Sequence, residues 1–427
     1  MPFRKLFAAV AVAVTVAPVF LAGACSSGRA ESSALVSTGT SFGAPTGSSS
    51  GGGGDGSGLV GASEWVAGLL PSPLPSVTTL LALPGGGTGR PVFTSSNPLA
   101  FEGDGLLYGS AGPSPTRGGK AVPLSGDFGV WFRHENAAKT AKFVTLLVRN
   151  AAPEGITTAL EGSGYTQTEA GGLGLQVSPD FRVSSDWLTE AYATHEEPTA
   201  LAPGQPRILW QKVLKVGAEV DARFAVYTTG SVQMFLVVTS GPTLAEVLQA
   251  TESAAPGTIG DPQSEAVVFG TTAGVYANDT WAGELRVEVP PKGRHVGLLV
   301  NSSLGNAHPQ VQAFQALGHY DDSASEAVGM HGNVYALEVE FAHDGTDAAP
   351  RHVVVSLGSL SDGSFPSDWD GLLLVDGKSV PVTLTPKARR VALIELTLLS
   401  GETRTVRLRA MVPGMATYPA GLFFESR

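Results

Sequence analysis

In the C-terminal part of this 427-residue chain, Asp362-Gly363-Ser364-Phe365-Pro366-Ser367-Asp368-Trp369-Asp370-Gly371 gathers three carboxylates on a backbone turned by glycine and proline, with one tryptophan among them. Oxygen ligands at such density suit calcium, and an indole beside them can stack on a sugar ring. Asp362, Asp368 and Asp370 are therefore candidate calcium ligands, although their spacing is not the regular one of a calcium loop. Trp369 is the candidate stacking residue. A second cluster, His331-Gly332-Asn333 after Asp321-Asp322, offers an imidazole, an amide and nearby acids that could hold a cation or a sugar. The plainer reading of His331 and Asn333 is a turn in which Gly332-Asn333 supplies a positive φ ahead of a strand.

The remaining chemistry is sparse. None of the eight histidines pairs with another at helical or alternate-strand spacing. His343 and His352 flank a polar turn and could meet across a hairpin, with Asp344 or Asp347 as a third ligand; a turn decorated with histidines is the simpler account. Gly39-Thr40-Ser41-Phe42-Gly43 matches the pattern of a hydrolase nucleophile elbow, but it lies in a Ser/Gly tract rather than between strand and helix. No catalytic residue is assigned. Glu338, Glu340, Asp368 and Asp370 are the acids a hydrolase would draw on if a fold brought two of them together.

The one cysteine has a stronger context. Met1 to Lys5 ends in two cations, Leu6 to Leu21 is apolar, and Ala22-Gly23-Ala24 precedes Cys25, the pattern of a secretory leader cut before Cys25. Leu21-Ala22-Gly23-Ala24-Cys25 resembles the bacterial lipobox, with its leucine four rather than three residues ahead. Lipidation explains a lone thiol in an exported chain, and more than one acyl chain on Cys25 would hold the body on a membrane. Plain secretion, cut at the same bond, is the alternative.

The organisation follows from composition. Residues 1–24 read as signal peptide and residues 25–60 as the lipidated cysteine with a disordered Ser/Gly tether, too poor in apolar groups to order itself. Beyond it, 54 glycines and many valines and threonines favour strands joined by turns. Phe143 to Val148, Val220 to Val226 and Val334 to Phe341 read as strands, and Asp376-Gly377 joins two apolar runs as a hairpin. Thr243 with Glu246 forms a capping box for one short helix, with Leu244, Val247 and Leu248 on one face. The helix divides two β-rich domains, 61–255 and 265–427. Each carries a similar order of strands and proline turns, as at Pro203 to Leu209, Pro291 to Val296 and Pro386 to Leu393. The expected fold is all-β, two tandem β-sandwich-like domains.

Pro91-Val92-Phe93-Thr94-Ser95-Ser96-Asn97-Pro98, Glu102-Gly103-Asp104-Gly105-Leu106-Leu107 and His331-Gly332-Asn333-Val334-Tyr335 resemble motifs of an exported bacterial family of unknown function, best represented in photosynthetic bacteria. The resemblance runs from about Pro91 to the end. It implies a β-rich extracytoplasmic protein and carries over no catalytic residue.

With 38 acids against 27 lysines and arginines, the formal net charge is −11, a surface that repels nucleic acid. The reading is a membrane-anchored envelope lipoprotein on the periplasmic or surface face, without a cofactor unless calcium. Its body would act as a binding or structural module for an envelope protein or polysaccharide. A carbohydrate-active or other hydrolase on a β-sandwich is the alternative.

Overall fold

The structure is a computed structural model that describes residues 68–69, 78–112, 114, 116–170, 178–257, 271–301, 310, 312–346, 348–359, 369–385, 389–414, 416 and 420–427. The leader, Cys25, the tether, Asp347, Asp362 and Asp368 lie outside the described residues. The fold is all-β, with three sheets and three short helices among the described residues.

Strands are numbered along the chain. One sheet runs in the order β1 (Gly68–Leu69), β21 (Arg390–Leu398), β18 (Arg351–Ser359), β23 (Ala420–Ser426), β15 (His295–Val300), β2 (Thr78–Leu81). A second runs β20 (Lys378–Leu384), β19 (Trp369–Val375), β22 (Thr403–Met411), β17 (Val334–Ala342), β14 (Thr280–Glu288), β3 (Gly86–Thr88). These two pack face to face: Tyr335, Leu337, Val339 and Phe341 alternate inward along β17, and Phe341 meets Phe424 of β23 edge-on at 4.9 Å. The outward residues of β17 pair instead with neighbours, Glu338 with Arg407 at 3.0 Å and Glu340 with Arg286 at 2.7 Å.

The largest sheet runs β10 (Thr194–Leu201), β9 (Ile156–Thr166), β12 (Glu219–Thr239), β7 (Leu124–Asn136), β4 (Val92–Ser95), β13 (Ala273–Tyr276), β16 (Ala316–His319). From it branch β5 (Ala100–Phe101), β6 (Gly105–Gly109), β8 (Lys142–Asn150) and β11 (Pro206–Leu214). The sheet folds over on itself through β12. As far as Thr228 this strand pairs with β7 and β9; from Val232, which makes a last β7 pair with Leu124, it pairs with β8, joined from Phe235 by β6. The corner is at Gly230, where a Cβ would stand 2.5 Å from the Ile156 side chain. Trp210 of β11 then packs on Phe132 and Phe224 of the opposite layer at 5.5 and 5.6 Å, closing a core between them.

Hydrogen bonding crosses the 255–265 division in both directions. β13 and β16 extend the first-half sheet, whereas β1, β2 and β3 enter the two sheets of the second half. Pairing of β17 and β18 into different sheets also separates His343 from His352. His343 donates to Ala349 O and accepts from Gly345 N within its own turn, and His352 bonds Thr397.

Of the helices, α1 spans Gln167–Ala170, α2 spans Pro179–Thr189 and α3 spans Leu244–Ala250. Helix α3 carries the expected reciprocal capping box between Thr243 and Glu246. Val247 and Ala250 are its buried residues, and Leu244 is exposed rather than on the packed face, because β12 meets only one side of so short a helix. The longer α2 was not expected from the sequence. Ser178 caps it by accepting from Phe181 N at 3.0 Å, Pro179 opens it, and Glu190 closes it in a left-handed conformation.

Candidate functional site

Among the described residues, Trp369, Asp370, His331 and Asn333 lie around α2 and the turn at Pro413, in structural roles. Trp369 is 1% exposed in the sandwich core, so it presents no face to a ligand. Asp370, the described member of the acidic loop, accepts from Ser178 Oγ at 2.5 Å and from Thr383 Oγ1 at 2.9 Å. It thereby ties β19 to the cap of α2. Gly332 has φ +71°, as the turn reading requires, and a Cβ there would lie 2.1 Å from the Trp131 indole. His331 stacks on the same indole, centroids 6.2 Å apart and planes at 19°, and its Nδ1 donates to Pro413 O at 3.0 Å. Burial pushes this imidazole below its ordinary pKa, which keeps it neutral. Asn333 is buried and its backbone exchanges hydrogen bonds with Val412 and Met330. The turn 331–333 is thus a lid on Trp131.

Beneath that lid lies a seam of charged side chains on one face of the folded-over sheet. Strand alternation puts Asp221, Arg223, Ala225 and Tyr227 of β12 on this face, with Asp127, Gly129, Trp131 and Arg133 of β7 and Ala159, Glu161, Ser163 and Tyr165 of β9 beside them. The apolar core occupies the opposite face. Helix α2 covers part of the seam, where its Asp180 nears Arg133, Asp186 meets Ser163 and Tyr165, and Trp187 lies under Arg223, while its Ser184 faces β19.

At the closed end, Asp180 and Asp221 are 3% and 1% exposed, and their carboxyls face the same point beneath Gly414. Burial, followed by the neighbouring Asp180 carboxyl, holds the Asp221 carboxyl well above the usual range; the Arg133 charge and the Trp131 bond oppose this. Trp131 Nε1 donates to Asp221 Oδ1 at 3.2 Å, and Arg133 stands 2.8 Å from Glu219 and 4.0 Å from Asp180. The roof is Gly414, where a Cβ would fall 2.5 Å from Arg133 Cδ, 2.7 Å from Asp221 Oδ2 and 3.2 Å from Asp180 Oδ1. Two neighbouring carboxyls, with the pKa of Asp221 raised, are chemically capable of acid–base work, but here protein atoms occupy the place of a substrate.

In the middle, fully buried Arg223 donates to Asp279 Oδ2 at 2.8 Å and lies over the Trp187 ring at 4.6 Å. Arg90 shares the same carboxylate oxygen at 3.1 Å. Burial lowers the Arg223 pKa to about 10, against the pull of Asp279, so the side chain stays cationic at neutral pH. Nearby, Asp186 accepts from Ser163 at 2.7 Å and from Tyr165 at 2.6 Å.

At the open end the seam reaches solvent as a hollow of 180 Å³. The small side chains of Ala159 and Ala225 leave this space. Tyr227, 48% exposed, lines it with Asp127, Glu161, His195 and Arg90. Asp127 and Glu161 belong to strands on either side of β12, so their backbones stand about 9.5 Å apart in the direction across the strands. His195 Nδ1 lies 3.4 Å from Glu161 Oε2. Sequence reading passed over these residues because each is an ordinary strand residue locally. The Ser178-Pro179-Asp180 start and the i,i+4 pair Val183/Trp187 were signals for α2, the element that closes the seam.

No protein-family model matches the chain, and no curated protein matches it. Among solved structures, the PBSX exported protein XepA aligns with 71% of this chain and 83% of its own at 9% identity and TM-score 0.16. A blue copper oxidase from Nitrosomonas europaea aligns with 75% of this chain and 76% of its own at 10% identity and TM-score 0.09. Overlaps this slight carry no argument about fold or activity. The class is set by the chain's own strands: an all-β, sandwich-like protein with a charged seam between its cores.

Proposed function

We propose that the protein is an extracytoplasmic cell-envelope protein, held at a membrane by lipid on Cys25, whose β body works as a binding or structural module. The anchor reading rests on the leader followed by Leu21-Ala22-Gly23-Ala24-Cys25. The module reading rests on one observation: a solvent-open hollow lined by polar side chains and built on paired strands, which hold a binding geometry steady. The acids expected to serve a hydrolase are otherwise engaged, Glu338 and Glu340 by arginines on an open sheet face and Asp370 by two hydroxyls.

Substituting Cys25→Ser tests the anchor. The protein is expected to move from the membrane fraction to the soluble exported fraction, and unchanged membrane association would defeat the assignment.

A second reading, a glycoside hydrolase, has one observation in its favour: two carboxylates, Asp127 and Glu161, line the same hollow. Release of reducing sugar from envelope polysaccharide, abolished by both Asp127→Asn and Glu161→Gln, would establish it over the module reading.

A further inference from the structure

We infer that the hollow at the open end of the seam binds one unit of a neutral saccharide; this rests on the module reading and names its ligand class. The volume of 180 Å³ is below the ~300–1,000 Å³ of sites for drug-sized ligands, so it suits a single ring rather than an extended cofactor. Its lining decides the charge of that ring. Asp127 and Glu161 are acceptors that would repel an anion, the third lining acid, Glu196, is paired with Arg207, and Arg90 is a cation that would repel an ammonium group. Each charge of the pair His195 and Glu161 is within reach of the other, and Arg90 is held by Asp279. A polyhydroxylated ring without charge meets neither penalty. Its hydroxyls donate to Asp127 and Glu161 and accept from Arg90 and His195.

Tyr227 supplies the other half of such recognition. Its ring is half exposed on a central strand, the placement that lets the apolar face of a sugar pack on an aromatic plane while its edge hydroxyls reach polar groups. The site is also pre-formed. Its tyrosine stands on β12, between Asp127 on β7 and Glu161 on β9, both of which pair with β12, so little ordering accompanies binding.

The test is saturation-transfer NMR and calorimetry on the intact protein with glucose, mannose, galactose and N-acetylglucosamine, and with glucosamine and glucuronate as charged counterparts. At least one neutral sugar is expected to bind saturably, more tightly than both charged ones. Tyr227→Ala is expected to weaken it about tenfold, and near-isosteric Asp127→Asn to weaken it as well, each variant keeping the wild-type circular dichroism. Failure of every neutral sugar to bind, tighter binding of a charged one, or binding that survives in both variants overturns the proposal. Retention of isolated envelope polysaccharide by Tyr227→Ala, with sugar binding lost from neither protein, would place recognition elsewhere and leave the module reading standing.

Discussion

The two ends of the seam are built from the same strands and obey opposite rules. At the closed end, Asp180, Asp221 and Arg133 are buried under α2, the 331–333 turn and Gly414, so each charge must find its partner within the protein. At the open end, Asp127, Glu161, His195 and Tyr227 are partly or largely in water, which screens them and leaves them available. The difference teaches where stability and binding separate: alternation along β12 carries Asp221 and Arg223 into structure and Tyr227 into solvent within six residues.

The comparison is broken most severely at its centre. Arg223→Ala removes a fully buried cation from Asp279 and from the Trp187 ring, and is expected to cost about 3 kcal/mol in urea denaturation, Arg90 keeping part of the Asp279 pairing. A loss under about 1 kcal/mol would show that the pair contributes only marginally.

Next comes the lid. Gly332→Ala combines positive φ with a clash on Trp131 and should destabilise by about 1–3 kcal/mol, whereas Gly293→Ala, at φ +76° with open space around it, isolates the backbone part of that cost. Equal losses in the two variants would remove the packing role assigned to Trp131.

The carboxyl pair sharpens the contrast through pH. Because the folded-state pKa of Asp221 is raised, the native state holds a proton that the unfolded chain releases, and the stability contributed by this one group is fully present below the ordinary carboxylate range. It then declines as pH rises toward the raised pKa. Asp221→Asn keeps an acceptor for Trp131, gains a donor toward Asp180 and should flatten that decline, so that its melting temperature exceeds the wild type's more at neutral than at acid pH. Parallel melting curves across pH 4 to 8 would refute the raised pKa of Asp221.

The smallest effect is expected at the open end, where Tyr227→Ala should change stability by no more than about 0.5 kcal/mol by the same denaturation measurement. A larger loss would make Tyr227 a packing residue and return the open end to the rules of the closed one.

How much of this was legible depended on range along the chain. Two-residue alternation marked β17, six consecutive apolar-rich residues marked β8, Asp376-Gly377 marked the β19–β20 hairpin, and Thr243 with Glu246 marked α3, because each signal is complete within a few neighbours. The strand at Val220 was visible too, but not its run to Thr239, since the corner at Gly230 is made by Ile156 and by two sets of strand partners. Trp369 and Asp370 read as neighbours in an acidic loop; strand alternation sends the indole into the core and the carboxylate to Ser178. Local sequence thus determined the all-β class, several elements and the turn at Gly332. Only the tertiary structure joined Asp180 to Asp221, Arg223 to Asp279 and His331 to Trp131, because a charge or ring shows its own chemistry in sequence, while its burial depends on strands that pair across a hundred residues or more.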